Sequence, residues 1–320
     1  MLHLFAERQG RTLHLNTPHD FNQNTDRLIW VDLIAPTDAE AQWVEDTLGM
    51  VASIPGHTED FESSARVYEE DHILYLRADF MAGRQQGHAV MPTQLAICRG
   101  TLVSVHEDDV PVIRLLRLKT RAQGHVDRSP MALLIALYAT DVEYSADVLE
   151  DIHGTLVNIS SSVLNERRGS DSDAEEFIGQ IARQEALNGT IRRNLMDTRR
   201  ALSFLMREPL LDKSQTKVAQ QVLRDIESLN GHTAFIFDKI NFLMDAIIGF
   251  ININQNKVVK IFSVASVAML PPTLIASIYG MNFEYMPELG QRWGYPMALA
   301  LMVTSVIIPY AYFRKKGWLK

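Results

Sequence analysis

Ten residues between Asp245 and Ser277 recur in alternating steps of three and four: Asp245, Gly249, Asn252, Asn256, Val259, Ser263, Ser266, Leu270, Thr273 and Ser277. At 3.6 residues per turn they share one helical face. Most are small or polar, and Ile261, Val264, Val267, Ile275 and Ile278 lie between them. On an apolar helix such a stripe either packs closely on another helix or faces water. Close packing is the commoner use of Ser and Thr in membranes. Two features favour a water-filled path. The stripe runs on into Asn256, Asn252 and Asp245 at one end, and Asn282 follows it at the other. Asn and Asp oxygens are hard donors, suited to a hydrated divalent cation. Pro271 and Pro272 remove two backbone donors within the same segment, which frees carbonyls one turn back.

The elements that must position this face are membrane helices. No residue from Ile261 to Phe283 is charged, and none from Trp293 to Phe313. At 1.5 Å per residue these segments reach roughly 34 and 31 Å, enough for a hydrocarbon core of about 30 Å. A pair of buried helices in a soluble domain rarely needs two adjacent uncharged stretches of that length. Lys257 and Lys260 precede the first segment, and Arg314, Lys315, Lys316 and Lys320 follow the second. Positive flanks stay inside. Both termini are therefore expected in the cytoplasm, with a short outer turn at 284–292. The basic flanks anchor to lipid headgroups, or else ring the path and tune conduction. Trp293, Tyr310, Tyr312 and Trp318 sit near segment ends, where amphipathic rings prefer to lie. Two helices cannot enclose a hydrophilic path, so several copies must surround it, most simply with cyclic symmetry.

Upstream, residues 1–125 read as an α/β layer domain. Strands are expected at Leu28–Leu33, Ile73–Phe80, Gln94–Cys98 and Thr101–His106. A helix is expected at Pro36–Leu48 with Thr37 near its start, and a hairpin loop at residues 82–87. Helical patterns cover about 130–166, 173–207 and 215–280. The last carries a heptad-like row, Val222, Ile226, Leu229, Thr233, Ile236, Ile240, Leu243, Ile247 and Phe250, suited to packing beside other long helices. Asn230-Gly231 could break it. The expected organisation is a cytoplasmic α/β domain (1–125), a helical cytoplasmic part (126–213) and a stalk helix (214–260). Two transmembrane helices (261–283 and 293–313) flank the outer loop (284–292), and a basic tail (314–320) ends the chain. In class this is α+β.

Bulk properties narrow the function. The 320 residues carry a net charge of −8, which disfavours nucleic acid as a partner. The lone Cys98 fits a reducing compartment, and Met1–Gly10 lacks the apolar core of a signal peptide. The ten histidines form no zinc-ligand spacing, and no nucleophile elbow or phosphate-binding glycine loop is present, so an enzyme is not expected. Acids crowd the region from Asp141 to Glu185, which reads first as a solvated helix pair.

At Gly280-Met281-Asn282 the chain resembles the CorA family, whose hallmark triplet ends the first of two C-terminal membrane helices. The Met286-Pro287-Glu288-Leu289 loop, the Trp293-Gly294-Tyr295-Pro296 stretch and the basic tail continue the resemblance, which is strongest from about Val222 onward. It implies a homopentameric funnel whose first helix lines the pore, carrying Mg2+ and also Co2+ and Ni2+, gated by intracellular Mg2+. Gly280, Met281 and Asn282 would form the outer selectivity site. Thr273, Leu270, Asn256 and Asp245 match pore positions, and the inner hydrophobic constriction falls at Val259 and Phe262. Glu284 and Glu288 would concentrate cations at the mouth, and Asp225 and Glu227 are candidates for the regulatory metal. No organic cofactor is implied. The alternatives are a zinc transporter of the ZntB type and, in another class, a membrane-tethered interaction protein, which would need neither the stripe nor the triplet.

Overall fold

The computed structural model describes residues 1–53, 67–83, 90–122, 129–165, 171–207, 210–282 and 286–318. The chain divides into two compact units, one of residues 1–167 and 176–242, the other of 168–175 and 243–320.

In the first unit a seven-stranded sheet has the order β2-β1-β3-β7-β6-β5-β4, from β1 (Leu2–Arg8), β2 (Arg11–Leu15), β3 (Arg27–Ile34), β4 (Val67–Glu70), β5 (Ile73–Met81), β6 (Val90–Cys98) and β7 (Thr101–His106). All neighbours are antiparallel except the central pair β3 and β7. That parallel contact needs a crossover; β1-β2, β4-β5, β5-β6 and β6-β7 join consecutive strands, whereas β1 and β3 pair with β2 between them in the chain. The expected loop at 82–87 connects β5 to β6, and its residues from 84 lie outside the described ones. Helix α1 (Asp38–Leu48) starts from a capping box: the Glu40 amide donates to Thr37 Oγ1, and the Thr37 amide donates to Glu40 Oε2. It ends at Gly49, whose φ of 76° a residue with a Cβ adopts only with strain.

Helix α2 (Pro111–Ala122), which the sequence reading did not separate from the strands, is pinned to the sheet by a buried charge cluster. Asp32 is fully buried on β3. It accepts from Ser104 Oγ (2.6 Å), contacts His106 Nε2 (2.9 Å) and accepts from Arg117 Nη1 (2.7 Å) on α2. Trp30 Nε1 donates to Ser104 Oγ at 3.0 Å, and Arg117 also grips Asp109. Burial pushes the Asp32 carboxyl up, but the hydrogen bond from His106 and the charges of His106 and Arg117 outweigh it and hold it below its ordinary range.

Three long helices follow: α3 (Pro130–Asn165), α4 (Asp171–Arg207) and α5 (Lys213–Tyr279). Within the first unit the Asn188 side chain of α4 donates to the Thr233 carbonyl of α5 at 3.0 Å. The heptad-like row is buried at Val222, Ile226, Thr233, Ile236 and Ile240, and it stays buried at Leu243 and Ile247 in the second unit. Helix α5 runs through Asn230-Gly231 without interruption. A Cβ on Gly231 would meet nothing, so this glycine faces open space and its only cost to the helix is the greater conformational freedom it loses on folding.

Candidate functional site

The second unit contains the end of α5, a 3-10 turn at Pro287–Gly290 and α6 (Gly294–Lys315). Both helices are long and apolar enough to cross a membrane, and almost none of either apolar stretch is buried within the chain. Water does not tolerate that much exposed Ile, Val, Leu and Met, whereas lipid and neighbouring helices do.

Within α5 the polar stripe and the covered face lie on opposite sides. Asp245, Asn252, Asn256, Val259, Phe262, Ser263, Ser266, Leu270, Thr273 and Ser277 are all exposed. Val264, Ala268, Pro271, Pro272, Ile275 and Tyr279 are buried or half-buried. At about 100° per residue the centres of the two sets are roughly 165° apart. Among the described residues the chain therefore covers one side of α5 and leaves the stripe exposed, except at half-buried Gly249. Val259 is 62% exposed, Phe262 70% and Leu270 67%, which for apolar residues on a polar face marks a surface completed by something outside this chain.

Two of the hydroxyls on this face bond to their own helix. Ser263 Oγ donates to the Val259 carbonyl and Thr273 Oγ1 to the Met269 carbonyl, each at 2.8 Å. With their protons committed to the backbone, these oxygens present only lone pairs. Lone pairs accept from the waters of a hydrated cation, whose hydrogens point outward.

At the end of α5 the Gly280 amide donates to the Ala276 carbonyl (3.0 Å) and the Met281 amide to that of Ile278 (3.2 Å). The helix stops at Tyr279, at the end of the helical pattern expected to about 280. Neither Gly280 nor Asn282 takes the left-handed conformation of a common helix cap. A Cβ on Gly280 would lie 3.1 Å from the Ala276 carbonyl oxygen, so the tight turn suits a glycine. Met281 and Asn282 are exposed, and among the described residues no hydrogen bond involves the Asn282 side chain. Its amide is thus available to an outside ligand. Glu288 is exposed on the 3-10 turn, and Glu284 lies outside the described residues.

Gly294, which in the sequence is one residue of a Trp-Gly-Tyr-Pro stretch, has a steric role. A Cβ there would overlap the Glu288 carbonyl oxygen. The Gly294 amide also donates to the Gln291 carbonyl at 3.0 Å. A cavity of about 430 Å3 next to this turn is lined by Tyr279, Gly280, Glu288, Gln291, Gly294 and Tyr295, among others. At the other end of α6, Lys316 Nζ lies 5.7 and 5.6 Å from the centroids of Tyr312 and Trp318, a cationic and aromatic cluster fit for a membrane interface. Lys257 and Lys260 are exposed on α5.

The candidate regulatory acids lie in the first unit. Asp225 accepts from Gln221 Nε2 at 2.9 Å, and Glu227 pairs with Arg199 at 3.0 Å. Two positions apart on one helix, they point roughly 200° from each other and do not converge on one ion within a chain. Among the described residues no cluster of three or more His, Cys, Asp or Glu side chains could hold a metal.

Comparison with known proteins shows the family. The model of the family described as CorA-like Mg2+ transporter protein matches residues 25–315. The magnesium transport protein CorA of Mannheimia succiniciproducens is 40% identical over 320 residues, all of both chains. That of Escherichia coli K12 is also 40% identical over the full length of both. Among solved structures, the complete CorA magnesium transporter from Methanocaldococcus jannaschii superposes with a TM-score of 0.81 at 20% identity, covering 99% of each chain.

Proposed function

The chain belongs to the family of CorA-like Mg2+ transporter proteins, and from that premise we propose that it is one subunit of a homo-oligomeric channel for membrane-potential-driven Mg2+ uptake. Members of this family move ions, and the chain is not an enzyme. The observation that carries the channel reading is the unpartnered stripe of α5, opposite the face the chain covers and followed by Gly280-Met281-Asn282. Copies arranged about an axis, five in our reading, bring their stripes together around a water-filled path.

Mg2+ gives up water reluctantly. A ring of Asn282 amides, one per subunit, can hydrogen-bond the water shell and select an ion by the size of its hydrated form. Gly280 fixes the turn that presents the ring, and Glu284 and Glu288 raise the cation concentration at the mouth. Below it, Ser277, Thr273, Ser266 and Ser263 offer acceptor oxygens to the same water shell. Leu270 lines the path, and Val259 and Phe262 form an apolar constriction that can dewet. Asn256, Asn252 and Asp245 receive the ion on the inner side. A divalent ion crossing an inside-negative potential gains about 4.6 kcal/mol per 100 mV, so no ATP is needed.

The chain thereby becomes a multi-pass protein of a cytoplasmic (inner) membrane, embedded in lipid, with both termini inside. Co2+ and Ni2+ are further substrates in this reading. Intracellular Mg2+ closes the pore by bridging acids of neighbouring subunits, with Asp225 and Glu227 as candidates, and so relieves like-charge repulsion. The test is ion uptake by proteoliposomes of known oligomer mass. Mg2+ influx that grows with inside-negative potential, in particles of five times the chain mass, fits the proposal. Zn2+ carried in preference to Mg2+ would replace it by a zinc transporter, and a monomer without flux would leave only a membrane tether.

A further inference from the structure

The first unit carries a cleft of about 740 Å3 whose charge runs against that of the chain. Five arginines line it: Arg77 on β5, and Arg192, Arg199, Arg200 and Arg207 on α4. Among the described residues of the lining, Asp79 and Asp197 are the acids, so that described lining is net +3 in a chain of net −8. The arginines are only partly neutralised. Arg77 Nε stands 4.0 Å from Asp79, Arg200 stands 3.5 Å from Asp197, and Arg199 holds Glu227, which is outside the lining, at 3.0 Å. Arg192 and Arg207 make no ion pair among the described residues.

The four arginines of α4 fall within about 100° of one another around the helix and so form one face. From Arg192 to Arg207 is fifteen residues, or about 22 Å along α4. The floor behind them is closed: Asn194 and Thr198 are buried and bound to Asp141. Half-buried Phe204 adds an apolar surface.

Guanidinium groups gathered in a concavity with too few acids repel one another, and an anion relieves that repulsion. Their forks match phosphate oxygens two at a time, and their flat faces and a phenyl ring accept a planar base. A groove of this length suits an extended polyphosphate better than a single phosphate ion. We propose that this cleft is a binding site for a nucleoside polyphosphate. The inference does not rest on the transport reading.

The test uses the full-length chain in detergent, with EDTA to remove divalent bridges, titrated calorimetrically with ATP, inorganic triphosphate and adenosine. Saturable ATP binding is expected, with weaker triphosphate binding and none of adenosine. Arg192→Ala with Arg207→Ala should weaken ATP at least tenfold, and the Lys pair at these positions should fall between. Arg193→Ala, an exposed arginine outside the lining, should change nothing. No ATP binding by the wild type, or equal binding by the double Ala variant, overturns the site. A double variant that loses oligomer mass while the wild type ignores ATP would assign the arginines to a contact with a second copy instead.

Discussion

Replacing Asp141 by Asn should stabilise the protein at neutral pH and flatten its pH dependence. Asp141 on α3 is fully buried, with neutral donors as its hydrogen-bond partners: Asn194 Nδ2 at 2.8 Å and Thr198 Oγ1 at 3.1 Å. No cation pairs with it among the described residues. Burial therefore dominates over the two hydrogen bonds, and the carboxyl is pushed from an ordinary 3.8 up to about 6. The folded chain thus holds this proton more tightly than the unfolded chain. Stability from this group is complete below about pH 4, declines as pH rises to about 6, and is gone above that. A displacement of that size corresponds to about 3 kcal/mol of cost at pH 7.5. Asn keeps the shape without the charge, and the Thr198 hydroxyl can turn to accept from the new amide. The variant should gain on the order of 5 °C in unfolding temperature at pH 7.5. Its advantage over the wild type should vanish below about pH 4.5. Thermal unfolding of both proteins in detergent from pH 4.5 to 8, followed by intrinsic fluorescence, measures this. A less stable variant at pH 7.5, or a difference independent of pH, would mean that something other than these two donors compensates the charge.

Other parts of the structure give further expectations. Asp32→Ala strands Arg117 and His106 in the core and should cost about 3–5 kcal/mol, read as a large fall in unfolding temperature; an unchanged midpoint would remove Asp32 from the role of anchor for α2. Gly294→Ala places a methyl against the Glu288 carbonyl and should reduce Mg2+ influx at least tenfold, whereas Gly290→Ala, in open space, should be tolerated; equal influx in the two would contradict the steric role. Because Cys98 is buried, with its thiol 3.0 Å from the Leu48 carbonyl, new cysteines can be read against a silent background. A charged thiol reagent should block influx through Ser263→Cys, Ser266→Cys and Ser277→Cys and spare Ala268→Cys; the reverse pattern would place the path on the other face of α5.

The two long apolar helices, the exposed face at three-and-four spacing and the turn at Gly280 could be read from the sequence because each lies on one helix or one turn, where spacing alone decides which residues share a face. The α1 start at Thr37 was legible for the same reason. Helix α2 was not. Its apolar residues Val112, Ile113 and Leu116 are interrupted by Arg114 and Arg117, and Arg117 is held by Asp32 from 85 residues away. The one local signal was an Asp inside the apolar strand Leu28–Leu33, which is tolerable only with a buried partner. The arginine cleft was half legible. Four of its arginines recur along α4, but only the fold brings Arg77 and the closed floor to them. Gly294 looks like any turn glycine until the Glu288 carbonyl is seen against it.

The central claim is that Asn282 selects the ion at the end of a path lined by α5. Its direct measurement is Mg2+ influx into proteoliposomes under an imposed inside-negative potential, wild type against Asn282→Ala, with oligomer mass checked for both. Potential-driven influx is expected in the wild type and should be lost in the variant, with assembly intact. Equal influx in both would contradict it.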